Sequence, residues 1–146
     1  MGFLLAQLGR AATRGYRCAL MPIGVKPRET AALMRLQDGP LSQQELGTAL
    51  DMDPSNLVAL LNDLEARGFA VRSRDPQDRR RHLVGMTDQG RAALDEVVAA
   101  AADVDDEFFS ALTQEERELL HELLVKIGES TEIPPPVEVA EAEDGC

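Results

Sequence analysis

Residues 71–87 read VRSRDPQDRRRHLVGMT, and the fold turns on this stretch. In FAVRSR (69–74), Phe69 and Val71 alternate with Arg72 and Arg74, the two-residue period of a half-buried strand. HLVGMT (82–87) predicts a second strand with weaker alternation. Between them lies Asp75 to Arg81, a turn holding three consecutive arginines. Such neighbours repel one another and keep long side chains in solvent, so the turn implies a receiver outside the chain. A two-stranded sheet does not stand alone and must lean on neighbouring helices.

Upstream, SQQE (42–45) has the spacing of a capping box: Ser42 accepts an amide three residues on and Glu45 reaches back. A short helix over about 42–50 follows. Asp53 and Pro54 suit the N-cap and first position of another helix. That helix, about 54–67, places Leu57, Leu60, Leu61 and Leu64 on one face, and Gly68 ends it in the left-handed conformation. Residues 42–68 thus predict a helix-turn-helix, and the hairpin makes it a winged helix.

Farther out, residues 3–21 predict an amphipathic helix carrying Arg10, Arg14 and Arg17 on one face, and a second helix runs from Pro27 to about Gln37. Residues 88–110 and 113 to about 128 predict two more helices, the last opened by the capping box TQEE. Residues 133–146 are proline-rich and acidic and predict a disordered tail. The expected class is mainly α with a small β-hairpin wing. One domain spans 1–132, with a winged-helix lobe over 26–91 flanked by further helical segments over 1–25 and 92–132.

Charge distribution matters more than its total. The formal net charge is -11, yet residues 1–25 carry +3, residues 26–91 carry 0 and residues 92–146 carry -14. Residues 67–81 hold six arginines against Asp75 and Asp78, a local +4. At 0.1 M salt, fields decay over about 10 Å, so a phosphate near the turn responds to the arginines and not to the distant acids. Hydrophobic residues make up 44 % and aromatics 3 %, which favours helices over a β-sandwich.

The helix at 54–67 fits a DNA major groove, with Pro54, Ser55 and Asn56 leading and Asn62 facing out. Its N-terminus is expected to offer free amides to phosphate. Ser42, at the start of the preceding helix, is grouped with these DNA-facing residues. On the wing, an arginine in a narrow minor groove gains from the negative potential there. Asp78 can hold the Arg80 guanidinium in aim, while Arg74, Arg79 and Arg81 meet phosphates.

DPQDRRRHLVGMTDQG and DPSNLVALLNDLEARGF together resemble the MarR family of bacterial transcription regulators, over about residues 3–130. The resemblance implies that Arg80 is the minor-groove arginine, Asp78 its orienting partner, and Ser55 and Asn56 the DNA-facing start of the recognition helix. Val58 and Ala59 depart from the polar residues frequent there. The resemblance also implies a homodimer formed by the first and last helices, a palindromic operator, and a small lipophilic or phenolic effector. Arg14, Tyr16 and Arg17 are candidate effector contacts.

No Ser-His-Asp arrangement, glycine-rich phosphate loop or metal-spaced cluster is present, and His82 and His121 are far apart in sequence. The expectation is therefore not an enzyme, with no cofactor and no metal. The rival is a winged-helix module for protein contact without DNA affinity. No apolar run reaches 18 residues, the N-terminal apolar patch precedes its arginines, and Cys18 and Cys146 lack paired spacing. A reduced cytoplasmic protein without membrane contact is expected, with Cys18 a small apolar residue.

Overall fold

The computed structural model describes residues 1–75, 78 and 81–130. Six helices and three strands follow in order: α1 (Gly2–Leu20), α2 (Pro27–Leu36), β1 (Leu41–Ser42), α3 (Gln43–Ala49), α4 (Pro54–Ala66), β2 (Ala70–Arg74), β3 (His82–Met86), α5 (Asp88–Phe108) and α6 (Gln114–Ser130). A single 3-10 turn (Met21–Ile23) follows α1. Two compact units divide the chain: Ile23–Ala99, and Met1–Pro22 with the residues from Ala100 onward.

The first unit is a winged helix. Its sheet has the order β1-β3-β2, all antiparallel, with Leu41 opposite Val84 and Arg72 opposite Val84 on the other side. β3 is therefore the central strand. That explains its weak alternation in the sequence, since Val84 is fully buried while Leu83 and Gly85 are half-covered. β1 was not foreseen: two residues carry no periodicity. The core gathers Leu33 and Leu36 of α2, Leu46 of α3, Leu57, Leu60, Leu61 and Leu64 of α4, and Phe69, Val84, Leu94 and Val97. Full burial of each such side chain stabilises by about 1.5–3 kcal/mol.

Local chemistry sets the boundaries. Ser42 Oγ accepts the Glu45 amide at 3.2 Å, and Glu45 Oε2 accepts the Ser42 amide at 2.8 Å. Gly68 has φ +71° and ends α4 as expected. Thr87 caps α5: its Oγ1 accepts the Gly90 amide at 3.0 Å and donates to the Gly68 carbonyl at 2.5 Å. Gly90 is required by close approach, because a Cβ there would lie 2.1 Å from the Phe69 carbonyl oxygen.

At the start of α2, Lys26 has no acceptor to cap with, and Glu29 Oε2 supplies half of a capping box by accepting the Lys26 amide at 2.8 Å. The same oxygen takes Arg67 Nη1, which also donates to the Gly24 carbonyl at 2.8 Å. The Arg67 guanidinium stacks 4.4 Å from the Phe69 ring centre. Arg67 thus fastens the end of α4 to the segment leading into α2.

In the second unit, α1 and α6 bury no residue. Phe3, Leu4, Leu5 and Leu8 of α1, and Leu119, Leu123, Leu124 and Ile127 of α6, are exposed. Tyr16 Oη donates to Asp105 Oδ1, and Arg117 Nη1 donates to Asp106 Oδ1 at 2.7 Å. Cys18 is half-buried on α1. The tail 133–146 with Cys146 lies outside the described residues.

Candidate nucleic-acid interface

α4 buries one leucine face and exposes the other. Ser55, Asn56, Val58, Ala59, Asn62 and Asp63 are all exposed, as the leucine spacing predicts. At its start, Asp53 Oδ1 accepts the Ser55 amide at 3.0 Å, the Asn56 amide at 3.1 Å and Ser55 Oγ at 2.5 Å. Its Oδ2 accepts from Asn56 Nδ2. The Ser55 hydroxyl bond, followed by the Asn56 amide, holds the Asp53 carboxyl down to about 2. The expectation of free amides for phosphate is corrected: Asp53 occupies them and sets its own negative charge there.

The asparagine polarities follow. A carboxylate only accepts, so the nitrogen of Asn56 faces Asp53 and its Oδ1 is turned away. Asn62 is oriented the other way, its Oδ1 accepting from Arg72 Nη2 at 2.8 Å. Pro54 is exposed at the first helical position.

Ser42 is buried, and its hydroxyl serves as the α3 cap. Its side chain has no outward face, so it belongs to the scaffold of the interface. Glu45 beside it is lowered from the usual carboxylate range, first by the Ser42 hydroxyl, then by the Ser42 amide, with a smaller contribution from the Arg81 charge.

On the wing, β2 and β3 pair from Ala70–Met86 to Arg74–His82. Beyond the strands, the Asp75 amide donates to the Arg81 carbonyl at 3.0 Å and the Arg81 amide to the Asp78 carbonyl at 2.9 Å. Arg74, Asp78 and Arg81 are exposed around this turn. Arg79 and Arg80 lie outside the described residues, and with them the expected Asp78–Arg80 pair.

Sequence reasoning missed Arg72 and Glu65. Arg72 leaves β2, and its amide donates to Glu65 Oε1 at 3.0 Å while Nε lies 3.6 Å from Glu65 Oε2. The wing and α4 are thereby tied side chain to side chain. No sequence signal marked them: Arg72 turns toward α4 because it pairs in register with buried Val84, a pairing set only in the folded sheet.

Of the candidate effector contacts, Arg14 is exposed, and Tyr16 and Arg17 are half-buried. Burial first, then the Asp105 hydrogen bond and charge, push the Tyr16 hydroxyl up to about 12. A cleft of about 600 Å³ lies along α5 and α6, lined by Asp105, Phe109, Arg117, His121 and Leu124 among others. Arg14, Tyr16 and Arg17 do not line it.

A family model described as MarR family matches residues 23–81. A protein of Thauera aromatica, named as a transcriptional regulatory protein for the hcr operon, is 36 % identical over 87 % of this chain and 78 % of its own length. The chain belongs to the MarR family. It is a transcriptional regulator with the MarR winged-helix fold. A Pseudomonas aeruginosa protein described as a transcriptional regulator is 34 % identical, with TM-score 0.68 over 87 % of this chain and 96 % of that one. The transcriptional repressor CouR, bound to a 23-mer DNA duplex, is 31 % identical with TM-score 0.73, over 88 % of this chain and 92 % of its own. CouR of Rhodococcus jostii RHA1 bound to p-coumaroyl-CoA gives 28 % identity and TM-score 0.69, covering 94 % of each chain.

Proposed function

We propose that this MarR-family regulator is a homodimeric, sequence-specific DNA-binding repressor whose operator is a palindrome and whose release follows binding of a small lipophilic or phenolic effector. The observation that carries the reading is the exposed face of α4 beside an arginine-lined wing, the two joined through Arg72, Asn62 and Glu65. α4 enters the major groove with Ser55, Asn56 and Asn62 toward the bases. Arg74 and Arg81 meet phosphates with Arg79, and Arg80, aimed by Asp78, enters the minor groove.

Dimerisation is supported by the exposed apolar residues of α1 and α6, which lack a buried face in the single chain. Two-fold symmetry then sets the half-sites about one helical turn apart. The effector is supported by the p-coumaroyl-CoA on CouR. Tyr16 and Arg17, half-buried on α1, remain the residues proposed to meet it, with Arg14 at their edge. The protein acts by binding and not by catalysis, and its DNA target places it in the cytoplasm. No helix among the described residues is long and apolar enough to cross a membrane.

The test is fluorescence anisotropy with duplexes selected from random DNA, together with sedimentation to give the oligomeric state. Wild type should bind as a dimer, and Arg80→Ala should lose at least about tenfold in affinity, the worth of a strong groove contact, while melting like wild type. A folded dimer that ignores every duplex would favour a protein-contact module instead.

A further inference from the structure

The outward stripe of α4 is Ser55, Ala59, Asn62 and Ala66, opposite the leucine face. Asn62 is its only amide. Which of its two ends meets the groove decides which base edge it can read. Its partner settles the question: an arginine guanidinium has donors and no acceptor, so the side of Asn62 facing Arg72 must be the oxygen. The Nδ2 group, with its two hydrogens, turns away from β2.

Arg72 cannot reverse this by moving. Its side chain is 24 % exposed, held by the Glu65 carboxylate at 3.6 Å, and its backbone amide donates to the same carboxylate at 3.0 Å. Any rotation of a guanidinium still presents donors. The polarity of Asn62 is therefore imposed from the wing strand.

We propose that Arg72 is a positioning residue for base readout: it holds Asn62 with its amide hydrogens toward the major groove, so that Asn62 selects guanine and rejects cytosine. Guanine offers two acceptors there, O6 and N7, whereas cytosine offers only the N4 donor. Adenine and thymine, each with one acceptor on this edge, rank between. This inference rests on the DNA-binding reading above and deepens it. A purely structural Arg72 would lower affinity for all sequences alike; a positioning Arg72 changes one base preference and leaves the others.

The experiment is selection from random duplexes with the full-length wild type, Asn62→Asp and Arg72→Met, each checked for folding by circular dichroism. Wild type should favour guanine over cytosine by about tenfold at one position per half-site, within the range of a single base-edge contact. Asn62→Asp, an exposed change of shape-matched side chain, should convert that position to cytosine, because a carboxylate accepts from N4. Arg72→Met should flatten the same position and leave the rest of the profile. The inference is overturned if Asn62→Asp alters no position, or if Arg72→Met weakens binding to all duplexes equally. Wild type that selects no duplex at all overturns the DNA-binding reading itself, a result distinguishable from either of these.

Discussion

Arg67→Met removes a charge from a carboxylate that has little else to hold it. Glu29 is 1 % exposed, and its Oε2 accepts from Arg67 Nη1 and the Lys26 amide. Its Oε1 has no hydrogen-bond partner among the described residues. Stripping one partner from a fully buried ion pair costs about 3–5 kcal/mol. Arg67 is 32 % exposed, so water recovers part of this, and about 2–3 kcal/mol remains. The lost stacking on Phe69 adds about 0.5–1 kcal/mol. The expected total is about 3 kcal/mol, which at about 3 °C per kcal/mol lowers the melting temperature by about 9 °C. Urea unfolding followed by circular dichroism is the assay, and the midpoint should fall with the slope unchanged. Glu29→Gln/Arg67→Met should regain much of the loss, since a neutral amide still accepts from Lys26 and leaves no buried charge. A single variant within about 0.5 kcal/mol of wild type, the range of ordinary surface substitutions, would refute the reasoning. So would a double variant as unstable as the two singles added together.

Tyr16 is the only tyrosine and the chain has no tryptophan, so phenolate absorbance reports one group. It should titrate near 12 in the native protein and near 10 in urea. Because the folded value is raised, this contribution to stability is complete below pH 10 and is lost as pH climbs from 10 toward 12. Asp105→Asn should bring the native value down, and an unchanged titration would break the assigned cause. Asp53 runs in the opposite sense: its depressed value of about 2 gives a contribution present above its ordinary 3.8 and lost as pH falls toward 2, an acid limb that Asp53→Asn should flatten in denaturation curves. Gly90→Ala should destabilise by about 3 kcal/mol, the upper range for overpacking, since the new methyl would press on a backbone oxygen; a melting temperature equal to wild type would show that α5 shifts freely.

The helix-turn-helix and hairpin were legible because their signals are local. The leucine spacing of α4, the Asp53-Pro54 start, the Ser42–Glu45 box and Gly68 each follow from backbone chemistry within a few residues. Just past the hairpin, Thr87 caps α5 and Gly90 admits the Phe69 carbonyl. What sequence could not give depends on partners distant along the chain. β1 exists only through its pairing with β3. The Arg72–Asn62–Glu65 tie and the Arg67–Glu29 pair join different elements, so no periodicity announces them. Ser42 and the α4 amides were read as open to DNA because the residue types suit it; in the structure the same chemistry is already satisfied internally.

Salt dependence of binding to a selected duplex tests the central claim most directly. Log affinity should fall steeply and linearly with log salt, about 10³- to 10⁵-fold between 50 and 200 mM for six to ten phosphate contacts. An affinity indifferent to salt, or none even in the most dilute buffer, would contradict it.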